Sequence, residues 1–159
     1  MTLSLCRIDD RLIHGQVVIG WGTPLGAQLI VLVDDAVRAN QWEQEIYRMA
    51  LPHDVAVEFV NRDEALARLR EWDADPRRVM LVTGDVETMA ALVTGGEGVI
   101  RRVNLGGIHA GPGRHPCLHY VYLSDEETST LRRLEATGAV ITAQDVPTTT
   151  PVPLHQLRG

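Results

Sequence analysis

A three-layer α/β/α sandwich, with a mainly parallel central sheet, is the fold that the 159-residue sequence predicts. Two observations predict it. Short apolar runs rich in branched residues alternate with helical patterns, and only a few residues join one to the next, which is the signature of crossover units on a parallel sheet. The helical stretches also open on capping residues, Asn61 with Glu64 and Ser124 with Glu127, the spacing of a capping box. No repeat or low-complexity linker divides the chain. Residues 1–159 therefore read as one domain, with an irregular tail from about residue 144 that Pro147, Pro151 and Pro153 keep out of regular pairing.

Residues 3–8 form the first extended run and residues 17–21 a short buried helix. Residues 28–33, Gln-Leu-Ile-Val-Leu-Val, read as a buried strand ending at Asp34-Asp35, and 36–50 as one helix stopped by Leu51-Pro52. A strand over 55–60 leads into the helix capped by Asn61, which runs to Trp72. The next strand covers 78–83, and a helix from Val86 to Thr94 ends on Gly95-Gly96. Residues 99–105 hold a further strand, broken by Gly106-Gly107, and a glycine-rich connection follows. A strand over 120–123, the Ser124-capped helix to Gly138, and a last strand over 139–142 complete the alternation. Trp21, Trp42 and Trp72 fall in helices and read as packing residues. Asp34-Asp35 reads as a helix cap rather than a magnesium site, with Asp35 near the pocket edge.

Composition narrows the function. Hydrophobic residues make up 45% and charged residues 23%, as in an ordinary folded domain. A net charge of −6 argues against a nucleic-acid binder. All 15 basic residues are arginine, so Schiff-base chemistry through lysine is excluded and any anion must meet guanidinium, imidazole or backbone N–H. Two cysteines make no disulfide framework, and the early Arg7 and Asp9-Asp10 break any signal-peptide pattern, which points to the cytoplasm.

The chemistry concentrates where the first strand gives way to the first helix. Asp9, Asp10, Arg11 and His14 crowd into six positions, followed by Gly15 and Gln16. In α/β sheets ligands sit beyond the C-terminal ends of the strands, and a helix N-terminus there offers unpaired N–H groups to an anion. A neutral imidazole is a competent nucleophile toward phosphorus near pH 7. Arg11 can clamp phosphate oxygens, and the N–H groups of Gly15 and Gln16 can face the same oxygens. Asp9 or Asp10 can hold the second ring nitrogen in its N–H form. These residues read as a phosphohistidine site.

The run Arg7-Ile-Asp-Asp-Arg-Leu-Ile-His-Gly-Gln-Val17 closely resembles the active-site signature of the IIB components of the mannose/fructose/sorbose family of bacterial sugar phosphotransferase systems. Leu32-Val33-Asp34-Asp35, Val103-Asn104-Leu105-Gly106-Gly107 and the terminal Val152-Pro153-Leu154 extend the resemblance along nearly the whole chain. It implies a protein-Nπ-phosphohistidine–sugar phosphotransferase with the same three-layer fold. His14 takes a phosphoryl group on Nδ1 from a phosphorylated IIA protein, Arg11 supports it, and a sugar held by membrane IIC and IID subunits receives it. The protein would then sit at the inner face of the membrane through these partners. The resemblance implies no metal or organic cofactor and leaves room for a homo-oligomer. A different end use, a regulatory phosphoprotein of an incomplete system that phosphorylates no sugar, takes phosphate on the same His14. The absence of lysine and the run from Ile108 to His119, rich in glycine, proline and histidine, depart from the family pattern. His109, His115, Cys117 and His119 within that run fit no zinc spacing.

Overall fold

The computed structural model describes residues 3–157. Its strands are β1 (Leu3–Ile8), β2 (Leu29–Val33), β3 (Ala56–Val60), β4 (Val79–Thr83), β5 (Arg102–Leu105), β6 (Arg114–Leu118), β7 (Val121–Ser124), β8 (Val140–Ala143) and β9 (Val152–Pro153). Seven of them form one sheet in the order β3-β2-β4-β1-β5-β8-β9, parallel throughout except for the antiparallel β8–β9 pair. The branched, unbroken apolar runs of β2 and β4 explain its centre: every residue of both strands is buried.

Alternation along those strands divides the core into two faces. Leu29, Val31, Val33, Val79 and Leu81 point to one side. There they meet Ala65, Leu69 and Trp72 of α4 (Arg62–Asp73), Val86, Met89 and Leu92 of α5 (Val86–Gly95), and Leu131 and Leu134 of α6 (Asp125–Ala136). Ile30, Leu32, Met80 and Val82 point to the other. They meet Val17, Val18 and Trp21 of a π-helix, Gln16–Gly22, which runs into α1 (Thr23–Leu25). Val37 of α2 (Asp35–Arg38) and Tyr47 of α3 (Gln41–Met49) close that side. This is the three-layer arrangement read from the sequence.

Both predicted capping boxes are formed, at Asn61–Glu64 and at Ser124–Glu127. Glu127 has a second task. Its carboxylate accepts two hydrogen bonds from Arg114, each 3.0 Å, so the α6 cap also ties down the β6–β7 hairpin. Replacing Ser124 by Ala should cost about 1 kcal/mol and lower Tm by about 2–4 °C in a circular dichroism melt, since one helix donor loses its acceptor.

Several expectations need correction. The helix expected over 36–50 is two helices, because Asn40 caps α3 by accepting from the Glu43 N–H while Asp34 caps α2 by accepting from Val37. Asp35 accepts from the Arg62 N–H at 2.9 Å, a contact toward α4 rather than toward the His14 loop. The connection after Gly107 contains β6, which pairs antiparallel with β7 in a two-stranded ribbon where Pro116 is tolerated. The tail expected to be irregular supplies β9, and Leu154 and Leu157 are buried in the core behind it. Trp42 is 77% exposed and packs no core, unlike Trp21 and Trp72.

The strand order places β1 between β4 and β5. Its C-terminal residue Ile8 is level with Thr83 on one side and Leu105 on the other. The chain leaves β1 at the point where crossovers switch direction, the usual ligand-binding crevice of such sheets.

Candidate functional site

The loop after β1 is pinned from both neighbouring strands. The Asp9 N–H donates to the Thr83 carbonyl at 2.9 Å, and the Asp10 N–H donates to the Gly107 carbonyl at 2.9 Å. The chain then turns tightly, with the Leu12 N–H donating to the Asp9 carbonyl at 2.9 Å and Leu12 held at φ 60°. A left-handed leucine is a strained backbone of the kind that clusters at functional sites. Beyond it the Val18 N–H donates to the His14 carbonyl, so the first helical turn begins directly after the histidine. The wide hydrogen bond from the Thr23 N–H to the Val18 carbonyl gives the helix its π character, which also recurs at functional sites.

Asp9 is the hub of the loop, and its side chain is fully buried. Oδ1 accepts from the Arg11 backbone N–H and from Arg11 Nε, both at 3.1 Å, and lies 3.5 Å from His14 Nε2. Oδ2 accepts from Arg11 Nη2 at 3.2 Å and from Arg7 Nη2 at 3.3 Å. Burial pushes the Asp9 carboxyl upward, but the contacts from His14 and Arg11 and the charge of Arg7 outweigh it and hold the group well below the usual carboxylate range. The group is therefore a permanent anion facing the imidazole. His14 Nε2 is hidden from solvent, while the side chain as a whole keeps 22% exposure. With Nε2 turned to the carboxylate, Nδ1 is the nitrogen turned away from it.

Of the two adjacent aspartates, Asp9 meets the imidazole. Asp10 turns to the opposite side, where it accepts from the His109 backbone N–H and contacts His109 Nδ1, each at 2.7 Å. Its contacts fasten the neighbouring loop, which Arg114 holds from behind by donating to the His109 carbonyl at 2.9 Å. Arg11 stacks its fork on Asp9 and keeps 33% exposure, so its charge borders the opening. Gly15 is exposed, and a Cβ there would meet nothing within 4 Å, so open space adjoins the imidazole. The side chain of Gln16 lies outside the described residues; its backbone begins the π-helix.

Arg7 is the residue that sequence reasoning missed. It is fully buried under the loop, with Cζ 4.8 Å from the centre of the Trp21 ring. It donates to Asn104 Oδ1, to the Gln144 carbonyl at 2.8 Å and to the Asp145 carbonyl at 3.1 Å. The Asp145 carbonyl also accepts from Trp21 Nε1 at 3.0 Å. Gly106 exists for this side chain, since a Cβ there would come within 2.7 Å of Arg7 Nε.

The histidine-rich run does not converge. His115 Nε2 faces Asp125 at 3.6 Å, His119 Nε2 lies 4.0 Å from Asp145, and Cys117 Sγ reaches the His115 carbonyl. Among the described residues no three His, Cys, Asp or Glu side chains are grouped to hold a metal. A cavity of about 270 Å³ opens beside Arg11, walled by Gly107, His109, His119, Tyr120 and Asp145. A larger one, about 730 Å³, lies behind the hairpin among His115, Asp125, Arg132 and His155 and shares no residue with the loop.

In chemical terms the loop offers a partly exposed imidazole with one nitrogen fixed by a buried anion, and a guanidinium at its mouth. Such a site suits attack on an incoming anionic phosphorus centre, where positioning and charge balance do most of what catalysis requires.

The chain is similar to known proteins along nearly its whole length. The family described as "PTS system sorbose subfamily IIB component" matches residues 3–158. The N-acetylgalactosamine-specific phosphotransferase enzyme IIB component 1 of Escherichia coli (strain K12) is 31% identical, the match covering 91% of each chain. The crystal structure of the IIBSor domain of the sorbose permease from Klebsiella pneumoniae superposes with a TM-score of 0.88 at 27% identity, covering 98% of this chain and 96% of that one. The mannose-specific EIIAB component of Escherichia coli is 28% identical over 93% of this chain, which spans 46% of that longer protein.

Proposed function

From the premise that the chain belongs to the sorbose-subfamily IIB components of the sugar phosphotransferase system, we propose that it carries phosphoryl groups on His14 Nδ1. A phosphorylated IIA protein is the donor, and a sugar held by membrane IIC and IID subunits is the final acceptor. The observation that carries this reading is the placement of His14 Nε2 3.5 Å from the buried Asp9 carboxylate, which leaves Nδ1 turned away from the anion as the nucleophile. Arg11 balances the charge of the entering phosphoryl oxygens, and the N–H groups of Gly15 and Gln16 at the helix start face them.

A mannose-type relative that joins IIA and IIB in one chain supports a IIA protein as the donor. Among the described residues no helix is long and apolar enough to cross a membrane. In this reading, which rests on the family, contact with the membrane runs through the IIC and IID partners on the cytoplasmic side, and the sugar is chosen mainly there.

The test is transfer from a purified phosphorylated IIA protein, read by intact mass. The proposal expects an acid-labile, base-stable gain of one phosphoryl group; an unchanged mass with a cognate donor would refute it. In the same assay Arg11→Ala should slow transfer by about 10²-fold, the scale expected when a positioned charge is lost. Its Tm should move little, because Arg11 lies at the surface of the loop. Transfer at the normal rate, or a loss of rate explained wholly by a large fall in Tm, would overturn that role.

A further inference from the structure

We propose that Arg7, although it lies beneath the site and touches no substrate, is a positioning residue for the transfer reaction. It fixes the Asp9 carboxylate so that Oδ1 meets both His14 Nε2 and Arg11. The inference rests on the phosphocarrier reading of His14.

Asp9 is gripped from two sides, by Arg11 from the surface and by Arg7 from below. Arg7 is itself immobilised by Asn104, by the carbonyls of Gln144 and Asp145 and by the Trp21 ring. The carboxylate plane is thus set from both sides, by Arg11 above and by a guanidinium seated in the interior of the sheet below. Without the lower guanidinium, Asp9 would follow Arg11 toward solvent and leave Nε2.

One carboxylate stands between two guanidinium groups. The trio therefore carries one net positive charge, which Arg11, one-third exposed, presents to the phosphoryl oxygens even while it contacts Asp9. With Arg7 absent, the charges of Arg11 and Asp9 would cancel.

A buried ion pair is often replaceable by apolar residues of similar volume with no loss of stability. The position lies on a central strand against Trp21, where an apolar side chain would pack well. A guanidinium with this many aligned acceptors reflects a demand from the loop above it.

The experiment compares the wild-type full chain with Arg7→Lys, which keeps the charge but loses the planar fork, and with Gly106→Ala. The second variant pushes the guanidinium from its seat without altering Arg7, Asp9 or His14. Long-range ¹H–¹⁵N spectra of the His14 ring, recorded without any donor at about pH 8, above the usual imidazole range, report the tautomer. Wild type is expected to show one form, with the proton on Nε2, and each folded variant a mixture. With phosphorylated IIA protein, each folded variant should lose about 10- to 100-fold in turnover with an unchanged KM for the donor. A single unaltered tautomer together with turnover within about twofold of wild type, in either variant that folds, would overturn the inference. Failure of wild type to accept phosphate would sink the carrier reading alone, since the tautomer is read without transfer.

Discussion

The His14→Gln variant is expected to fold as the parent does and to take up no phosphoryl group at all. A glutamine amide is close in length to the imidazole and can face Asp9 Oδ1, which lies 3.5 Å from Nε2, while the loop keeps its backbone anchors to Thr83 and Gly107. His14 is partly exposed and contributes little to the core, which limits the stability change to about 0.5 kcal/mol. The amide nitrogen, unlike a neutral imidazole nitrogen, is not a nucleophile toward phosphorus. Intact mass after incubation with phosphorylated IIA protein, together with a thermal melt, checks both halves of this expectation. A mass gain that survives the substitution would move the acceptor elsewhere, to His109 or His119 at the neighbouring cavity.

Replacing Asp9 by Ala should be the most damaging change to stability in the loop. Arg7 would then remain buried without its carboxylate partner, although its carbonyl and Asn104 acceptors persist. Breaking one side of a buried pair typically costs about 3–5 kcal/mol, which in a domain of this size lowers Tm by roughly 10 °C. Removing Arg7 as well, in the double variant Asp9→Ala with Arg7→Met, should recover most of the loss, because no isolated charge is left. Independent, additive effects in this cycle would show that the pair is not coupled.

The same carboxylate gives stability a pH dependence of defined sign. Its folded-state value lies below the unfolded value, near ~3.9, so the unfolded chain binds more protons across that interval. The contribution is fully present above about pH 5 and is lost as the pH falls through the unfolded value toward the folded one. Denaturant midpoints measured at a series of acidic pH values should fall less steeply in Asp9→Ala than in wild type, the remaining slope coming from carboxylates such as Asp75 and Glu127 that are also held low.

The strands were legible wherever burial was complete. The runs of β2 and β4 are apolar at every position because both faces of the sheet are covered, and no helical stripe competes with them. Caps were legible where side chain and spacing agree, as at Asn61 and Ser124. The break between α2 and α3 had the same signal, Asn40 with Glu43 three residues on, but it was masked by continuous helical spacing. Strands β6 and β9 carry prolines and little apolar pattern, since one lies in a small outer ribbon and the other at the sheet edge.

Within the site, His14 and Arg11 could be read from residue type and order. Which aspartate faces the ring could not, because two adjacent residues differ only in how the turn at Leu12 directs them. Arg7 looked like a polar interruption in a strand. Its burial depends on acceptors 97, 137 and 138 residues away, contacts that no local pattern announces.

The seating of Arg7 against Gln144 and Asp145 has a consequence for biosynthesis. Ribosomes deliver the chain from its N-terminus, so the loop bearing His14 emerges early, whereas two of the carbonyls beneath it emerge more than a hundred residues later. Until that last crossover docks, Arg7 lacks part of its socket, and the loop has nothing rigid to rest on. On the proposed carrier role, competence to accept phosphate is a late event in the life of each polypeptide. A chain interrupted before residue 144 carries the whole signature motif without the carbonyls that seat Arg7, and as a carrier it would be a poor one.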